Sequence, residues 1–180
     1  GFNYPLINKS KLKEAIDYRG YPKDCNTVTD GNTIYHLSKG NVKGIKLKEY
    51  YILTNFYKNR AIAVKKSEVS LSKQNLFIID DRGKIIKPIP KEYIETSYYF
   101  DNYGLIEVFS ENGMAVIDFN GNFIISPCDS CNVTFLSSGL YGVFYLKDSM
   151  NLDLDKSGFY NQFGQKILPA EHSYYSQKFR

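Results

Sequence analysis

The chain contains no tryptophan, only two histidines and only three cysteines. An odd cysteine count leaves at least one thiol free or bonded to another chain, which excludes a fully paired disulfide scaffold. It also lacks any long apolar run. A membrane-spanning helix needs about 20 consecutive apolar residues, so no transmembrane segment is expected, in keeping with a mean hydropathy of −0.37. Neither sign of charge dominates: 23 basic and 19 acidic residues give a net charge of +4. These charges are mixed along the chain, without the clustered basic excess that marks a nucleic-acid surface, so no nucleic-acid partner is expected. Phosphate-binding glycine loops, dinucleotide glycine motifs and the Gly-x-Ser-x-Gly nucleophile elbow are absent as well. No cofactor follows from any motif.

Aromatic residues are abundant. The 16 tyrosines and 12 phenylalanines, with hydrophobic residues at 43% of 180, supply enough apolar surface for a core. Aromatic and β-branched residues favour strands. The stretch from Gly104 to Pro127 shows how they are arranged. Leu105–Val108, Met114–Ile117 and Phe123–Ile125 are short apolar runs, separated by Asn112-Gly113 and Asn120-Gly121. Asn-Gly tolerates positive φ and closes hairpins. The runs are too short for helices and are cut by glycine. The stretch therefore predicts a three-stranded antiparallel meander of about 24 residues.

Similar patterns lie on both sides. Leu76–Ile79, the turn Asp81-Arg82-Gly83 and Ile85-Ile86 precede Pro88, and Gly158–Gly164 is followed by Ile167, Leu168 and Pro169. The turn glycines Gly40, Gly83, Gly121 and Gly164 are 43, 38 and 43 residues apart. A period of about 40 residues marks a repeat architecture. The fold expected is mainly β: tandem three-stranded meanders after a short N-terminal helix. That helix is read over 10–20, where Ser10 caps the start and Leu12, Ala15 and Ile16 share one face. The layout is a lead-in and helix at 1–25 and a β-repeat domain at 26–170. Within the domain the partial unit is 26–49, the full units are about 50–90, 91–127 and 128–170, and a tail follows at 171–180. Gly1 before Phe2 reads as the scar of a removed tag or leader. On that reading the protein is exported to the periplasm, cell surface or medium; a cytoplasmic location stays open.

The unit Gly-Leu-x-x-Val, turn, Ile-Asp-x-x-Gly, apolar pair, Pro resembles the WG-repeat family of bacterial proteins. It is carried by Gly104, Leu105, Val108, Ile117, Asp118, Gly121, Ile125 and Pro127. In the flanking copies it is carried by Ile79, Asp80, Gly83, Ile86 and Pro88, and by Gly139, Leu140, Val143, Gly164 and Pro169. The Trp-Gly pair that names the family is replaced by Met114-Ala115, Leu76-Phe77 and Gly158-Phe159, and Asn161 stands for the motif aspartate in the last copy. The resemblance implies a β-repeat fold used for binding or scaffolding, with no active-site residue to carry over. The shared residues also have plain structural roles. Asp80 and Asp118 are expected to accept backbone N–H groups two residues on, and the prolines to end strands because they cannot donate to a ladder.

Few residues carry chemistry. Cys128-Asp-Ser-Cys131 is a CxxC, the spacing of a redox pair or of half a zinc site. No second CxxC exists, and Val133–Leu136 reads as a strand where a redox motif needs a helix. Two loop thiols or a local disulfide are the plainer alternatives. Asp153-Leu-Asp155-Lys-Ser157-Gly158 has the oxygen spacing of a calcium loop but ends at Gly164 where the bidentate Glu belongs. No metal site is therefore expected, and a polar hairpin insert is the plainer reading. Cys25, His36 and His172 stand in no motif. Tyrosine is favoured at binding surfaces because it offers apolar area with a polar tip. Tyr98, Tyr99, Tyr103, Tyr174 and Tyr175 are the candidate partner-binding residues, against a role for alternate rings in the core. Three functions stay open: a non-catalytic module binding a protein or glycan; a thiol-dependent enzyme or redox protein using Cys128 and Cys131; and an immunity-type protein that binds a toxin.

Overall fold

In a computed structural model, the structure describes residues 27–38, 41–69, 73–111, 113–129, 131–137, 139–147 and 153–169. The helix expected over 10–20 and the tail 171–180 lie outside the described residues, and so do Cys25, His172, Tyr174 and Tyr175. Apart from a 3-10 turn at Lys66–Glu68, the regular structure described is antiparallel β-sheet.

Four small sheets follow one another along the chain. The first holds β1 (Thr27–Thr29), β2 (Thr33–Ser38) and β3 (Asn41–Lys46). In the second are β4 (Tyr50–Ile52), β5 (Arg60–Lys65), β6 (Leu76–Asp80) and β7 (Ile85–Pro88). The third comprises β8 (Tyr93–Thr96), β9 (Leu105–Ser110), β10 (Gly113–Asp118) and β11 (Phe123–Asp129). The fourth comprises β12 (Cys131–Ser137), β13 (Leu140–Tyr145), β14 (Gly158–Asn161) and β15 (Lys166–Pro169). Every strand pairs with its neighbours in sequence, so each sheet is an up-and-down meander.

The expected three strands per unit is corrected to four in the second, third and fourth sheets. In the third sheet the added strand is β8. It is only four residues long and sits between Pro90 and the polar, aromatic run at Ser97–Phe100, so it shows no apolar run of its own. Two of the three prolines act as expected: Pro88 and Pro169 are the last residues of β7 and β15. Pro127 does not, because β11 runs past it to Asp129. All three strands are edge strands, where a residue without an N–H is tolerated on the side that faces no partner.

Three apolar cores separate the four sheets. Ile34 of the first sheet meets Leu47, Ile52, Ala61, Ala63 and Ile79. Ile62, Leu76 and Ile78 of the second sheet meet Ile106, Val108, Ala115 and Ile117 of the third. Leu105, Val116 and Ile125 of the third meet Val133, Tyr141 and Val143 of the fourth. Central strands thus bury both faces. Ala61 and Ala63 point one way and Ile62 the other; Ala115 and Ile117 point one way and Val116 the other. This is why the sequence carries continuous apolar runs where a sheet with one wet face would alternate.

Tight turns join the strands with a recurring set of bonds. Asp80 Oδ1 accepts the N–H of Arg82 and of Lys84, both at 2.9 Å. Asp118 Oδ1 accepts those of Asn120 and Asn122 at 2.8 Å each. Asn161 Oδ1 does the same for Phe163 and Gln165 at 3.0 Å. An amide oxygen therefore serves where the other turns use a carboxylate. The glycine three residues after each of these has positive φ. It also lets the turn rest on the preceding sheet: a Cβ on Gly121 would press on Ile78, and one on Gly164 would strike the Ile124 carbonyl.

Candidate functional site

The loop 97–104 leads from β8 into β9 and closes with a further turn of the same kind. Asp101 Oδ1 accepts the N–H of Tyr103 at 2.8 Å and of Leu105 at 2.9 Å. Its other oxygen reaches the fourth sheet, accepting the Gly139 N–H at 3.2 Å and the Tyr141 hydroxyl at 3.1 Å. One carboxylate thus shapes the loop and ties two sheets together. Below it, Asn55 of the connection between β4 and β5 accepts the Phe100 N–H at 2.9 Å, and Phe100 is buried in the core. Phe100 and Asp101 anchor the loop, and Tyr98 and Tyr99 project between these anchors and β8.

Between this loop, β9 and the fourth sheet lies an open groove of about 920 Å³. Tyr141 lines its buried side and Tyr98, Tyr99 and Phe135 its exposed side, 73%, 50% and 46% accessible respectively. The Tyr98 and Tyr99 rings are tilted against each other with centroids 6.4 Å apart. Phe135 meets Tyr141 edge-on at 5.6 Å. Phe109 and Glu107 contribute from β9 and Glu95 from β8. Glu107 Oε2 accepts the Ser97 hydroxyl at 2.6 Å.

Burial pushes the Tyr141 hydroxyl well above the ordinary tyrosine range, and the nearby Asp101 carboxylate raises it further. Both effects disfavour a phenolate, so Tyr141 is a neutral donor to Asp101. Tyr57 is also raised, by burial and then by the Asp101 charge; its hydroxyl donates to the Asn102 carbonyl at 3.2 Å.

Tyr98 and Tyr99 come together in the groove, but Tyr103 is not among its lining residues. The Tyr103 ring lies over Gly139, 2.8 Å from where a Cβ would stand. Cys131 is buried in the core between the third and fourth sheets and is disulfide-bonded. Its partner lies among side chains outside the described set, as does the side chain of Cys128. His36 is remote from that core. It sits on β2, where Nε2 donates to the Asp81 carbonyl at 2.8 Å. The Asp153 carboxylate, read as part of a possible calcium loop, accepts the Lys156 N–H at 3.3 Å and pairs with the Lys156 ammonium at 3.4 Å. Among the described residues no group of three or more His, Cys, Asp or Glu is placed to hold a metal ion.

Sequence reasoning missed Asp101, Glu107, Phe109, Phe135 and Tyr141. Asp101 carried a signal: Asp101-Asn-Tyr-Gly104 has the Asp-x-x-Gly spacing of Asp80–Gly83 and Asp118–Gly121. Glu107 carried another, as the one charge inside the run Leu105–Phe109. Phe135 and Tyr141 had none, because only packing of the fourth sheet on the third brings them to the loop.

No family model matches the chain, and no curated protein matches it.

Proposed function

We propose that this protein is a non-catalytic binding or scaffold module, built as a tandem array of WG-like β-repeats, that engages its partner through the groove beside Tyr98 and Tyr99. The observation that carries this reading is the open aromatic groove itself, of about 920 Å³. Large rings held half-exposed on a rigid framework lose little conformational freedom when they meet a partner, which is why tyrosine recurs at recognition surfaces. Loop 97–104 is fixed by Asp101, Asn55 and the buried Phe100, so the site is largely formed in advance. No cysteine, histidine or lysine is among the described residues that line the groove. Repeat arrays commonly present extended binding surfaces of this kind.

The disulfide at Cys131 weighs against a free-thiol nucleophile there, because the thiolate is the reactive form. It also supports an exported location, since disulfides persist in oxidising compartments. The test is a two-dimensional amide spectrum titrated with peptides and oligosaccharides. The reading expects a saturating ligand to shift residues 95–109, Phe135 and Tyr141, and Tyr98→Ala with Tyr99→Ala to weaken it. Saturable shifts centred elsewhere, or rapid selective alkylation of one native cysteine, would count against it.

A further inference from the structure

The groove is acidic in a basic protein. Glu95, Asp101 and Glu107 line it, and no lysine or arginine does among the described lining residues, although the whole chain carries a net charge of +4. The three carboxylates are not equivalent. Asp101 is occupied by four donors from its own loop and the fourth sheet. Glu107 gives one oxygen to Ser97. Glu95 is exposed. The ion pairs of the described residues lie elsewhere, at His36–Asp81, Lys73–Glu111 and Lys156–Asp153. Glu95 and Glu107 therefore present negative charge uncompensated by any described cation, beside the faces of Tyr98, Tyr99 and Phe135.

We propose that the groove seats a cationic segment of a protein partner, an extended stretch bearing arginine or lysine. This rests on the binding-module reading and deepens it. Such side chains match the site in two ways. Their methylene stems cover aromatic surface while the charged head stays near solvent. The head is drawn both to carboxylates and to the negative faces of aromatic rings. A neutral glycan would use the rings but gain nothing from the charge, and an acidic partner would be repelled. At about 920 Å³ the open groove also far exceeds a single small cation. Because the protein body is basic, a cationic peptide has no general attraction to it, so saturable binding would report on this site.

The test uses the whole chain, labelled with nitrogen-15, and three probes: the peptide Gly-Arg-Ser-Arg-Ser-Arg-Gly, its counterpart with glutamate for arginine, and chitohexaose. The arginine peptide should shift the amides of Glu95, Ser97, Glu107 and Phe135 to saturation, and the glutamate peptide should not. Raising salt from about 0.05 to about 0.5 M should weaken the interaction, as screening requires. The double variant Glu95→Gln, Glu107→Gln should weaken it by about tenfold or more with an unchanged melting temperature, since glutamine can still accept from Ser97. Arginine-peptide binding indifferent to that variant overturns the proposal. If chitohexaose alone shifts these amides, the cationic partner is refuted and the binding module stands. If no probe shifts them, both lose their support.

Discussion

Replacing Tyr141 by Phe tests the junction between the third and fourth sheets with a single oxygen atom. The side chain is 1% accessible, and its hydroxyl donates to the Asp101 carboxylate at 3.1 Å. A hydrogen bond to a charged group contributes about 1.5–3 kcal/mol. Asp101 keeps its other three donors and is partly exposed, so we take the lower end, about 1.5 kcal/mol at pH 7. The pH dependence follows from linkage. Folding raises the Tyr141 pKa above its ordinary value near 10, so the folded state holds its proton more tightly than the unfolded state. The stabilisation is complete below pH 10 and is lost as the pH climbs past the unfolded value. The loss is about 1.4 kcal/mol per pH unit for one proton. At about pH 11 the wild type should have lost roughly what the variant never had. Urea unfolding of both proteins at pH 7 and pH 11 measures this. The gap between them should be about 1.5 kcal/mol at pH 7 and near zero at pH 11. Other tyrosines ionise equally in both proteins and cancel. An equal gap at the two pH values would refute the assignment of the raised pKa to Tyr141.

Glycine turns should differ by what they rest on. Gly164→Ala, at φ 72° with the Ile124 carbonyl in the way, should cost about 2–4 kcal/mol in a urea melt; Gly83→Ala meets only the flexible end of Leu47 and should cost clearly less. Asp118→Ala, which strips the acceptor from two N–H groups, should cost about 1–3 kcal/mol. Asp118→Asn should be nearly neutral, because Asn161 already makes the same pair of bonds; a large loss for Asn would mean that charge matters there. Ile62→Ala opens a cavity in the core shared by the second and third sheets and should cost about 2–5 kcal/mol. Hydrogen exchange should quicken together in β5 and β9 if the sheets form one stacked array, and in β5 alone if they do not.

Strands and turns could be read one at a time from the residues. Ala61–Val64, Leu76–Ile79 and Met114–Ile117 lie within observed strands, because short β-rich runs bounded by turn residues leave the backbone little choice. The Asp80 and Asp118 turns were legible for the same local reason: the side chain bonds to a backbone two residues away. β8 was hidden because Tyr93–Thr96 is only four residues long and ends in the polar pair Glu95-Thr96, leaving no apolar run. Pro88 and Pro169 close their strands as read, whereas Pro127 misled, because β11 continues past it to Asp129 and its place at an edge is a property of the sheet. At the groove, Tyr98 and Tyr99 were visible as an aromatic pair, whereas Tyr103 looked the same in sequence and instead covers Gly139.

The order of residues alone determined the class of structure, its short β-strands and its tight carboxylate-braced turns, because those depend on contacts within a few positions of the chain. Tertiary structure decided which face of each strand meets which neighbour. It also brought Asp101 to Tyr141 across 40 residues and set Glu95, Glu107 and Phe135 around one opening. Such juxtapositions arise from sheets packing on one another through non-directional burial of apolar surface, and that packing leaves no local mark on the residues that end up side by side.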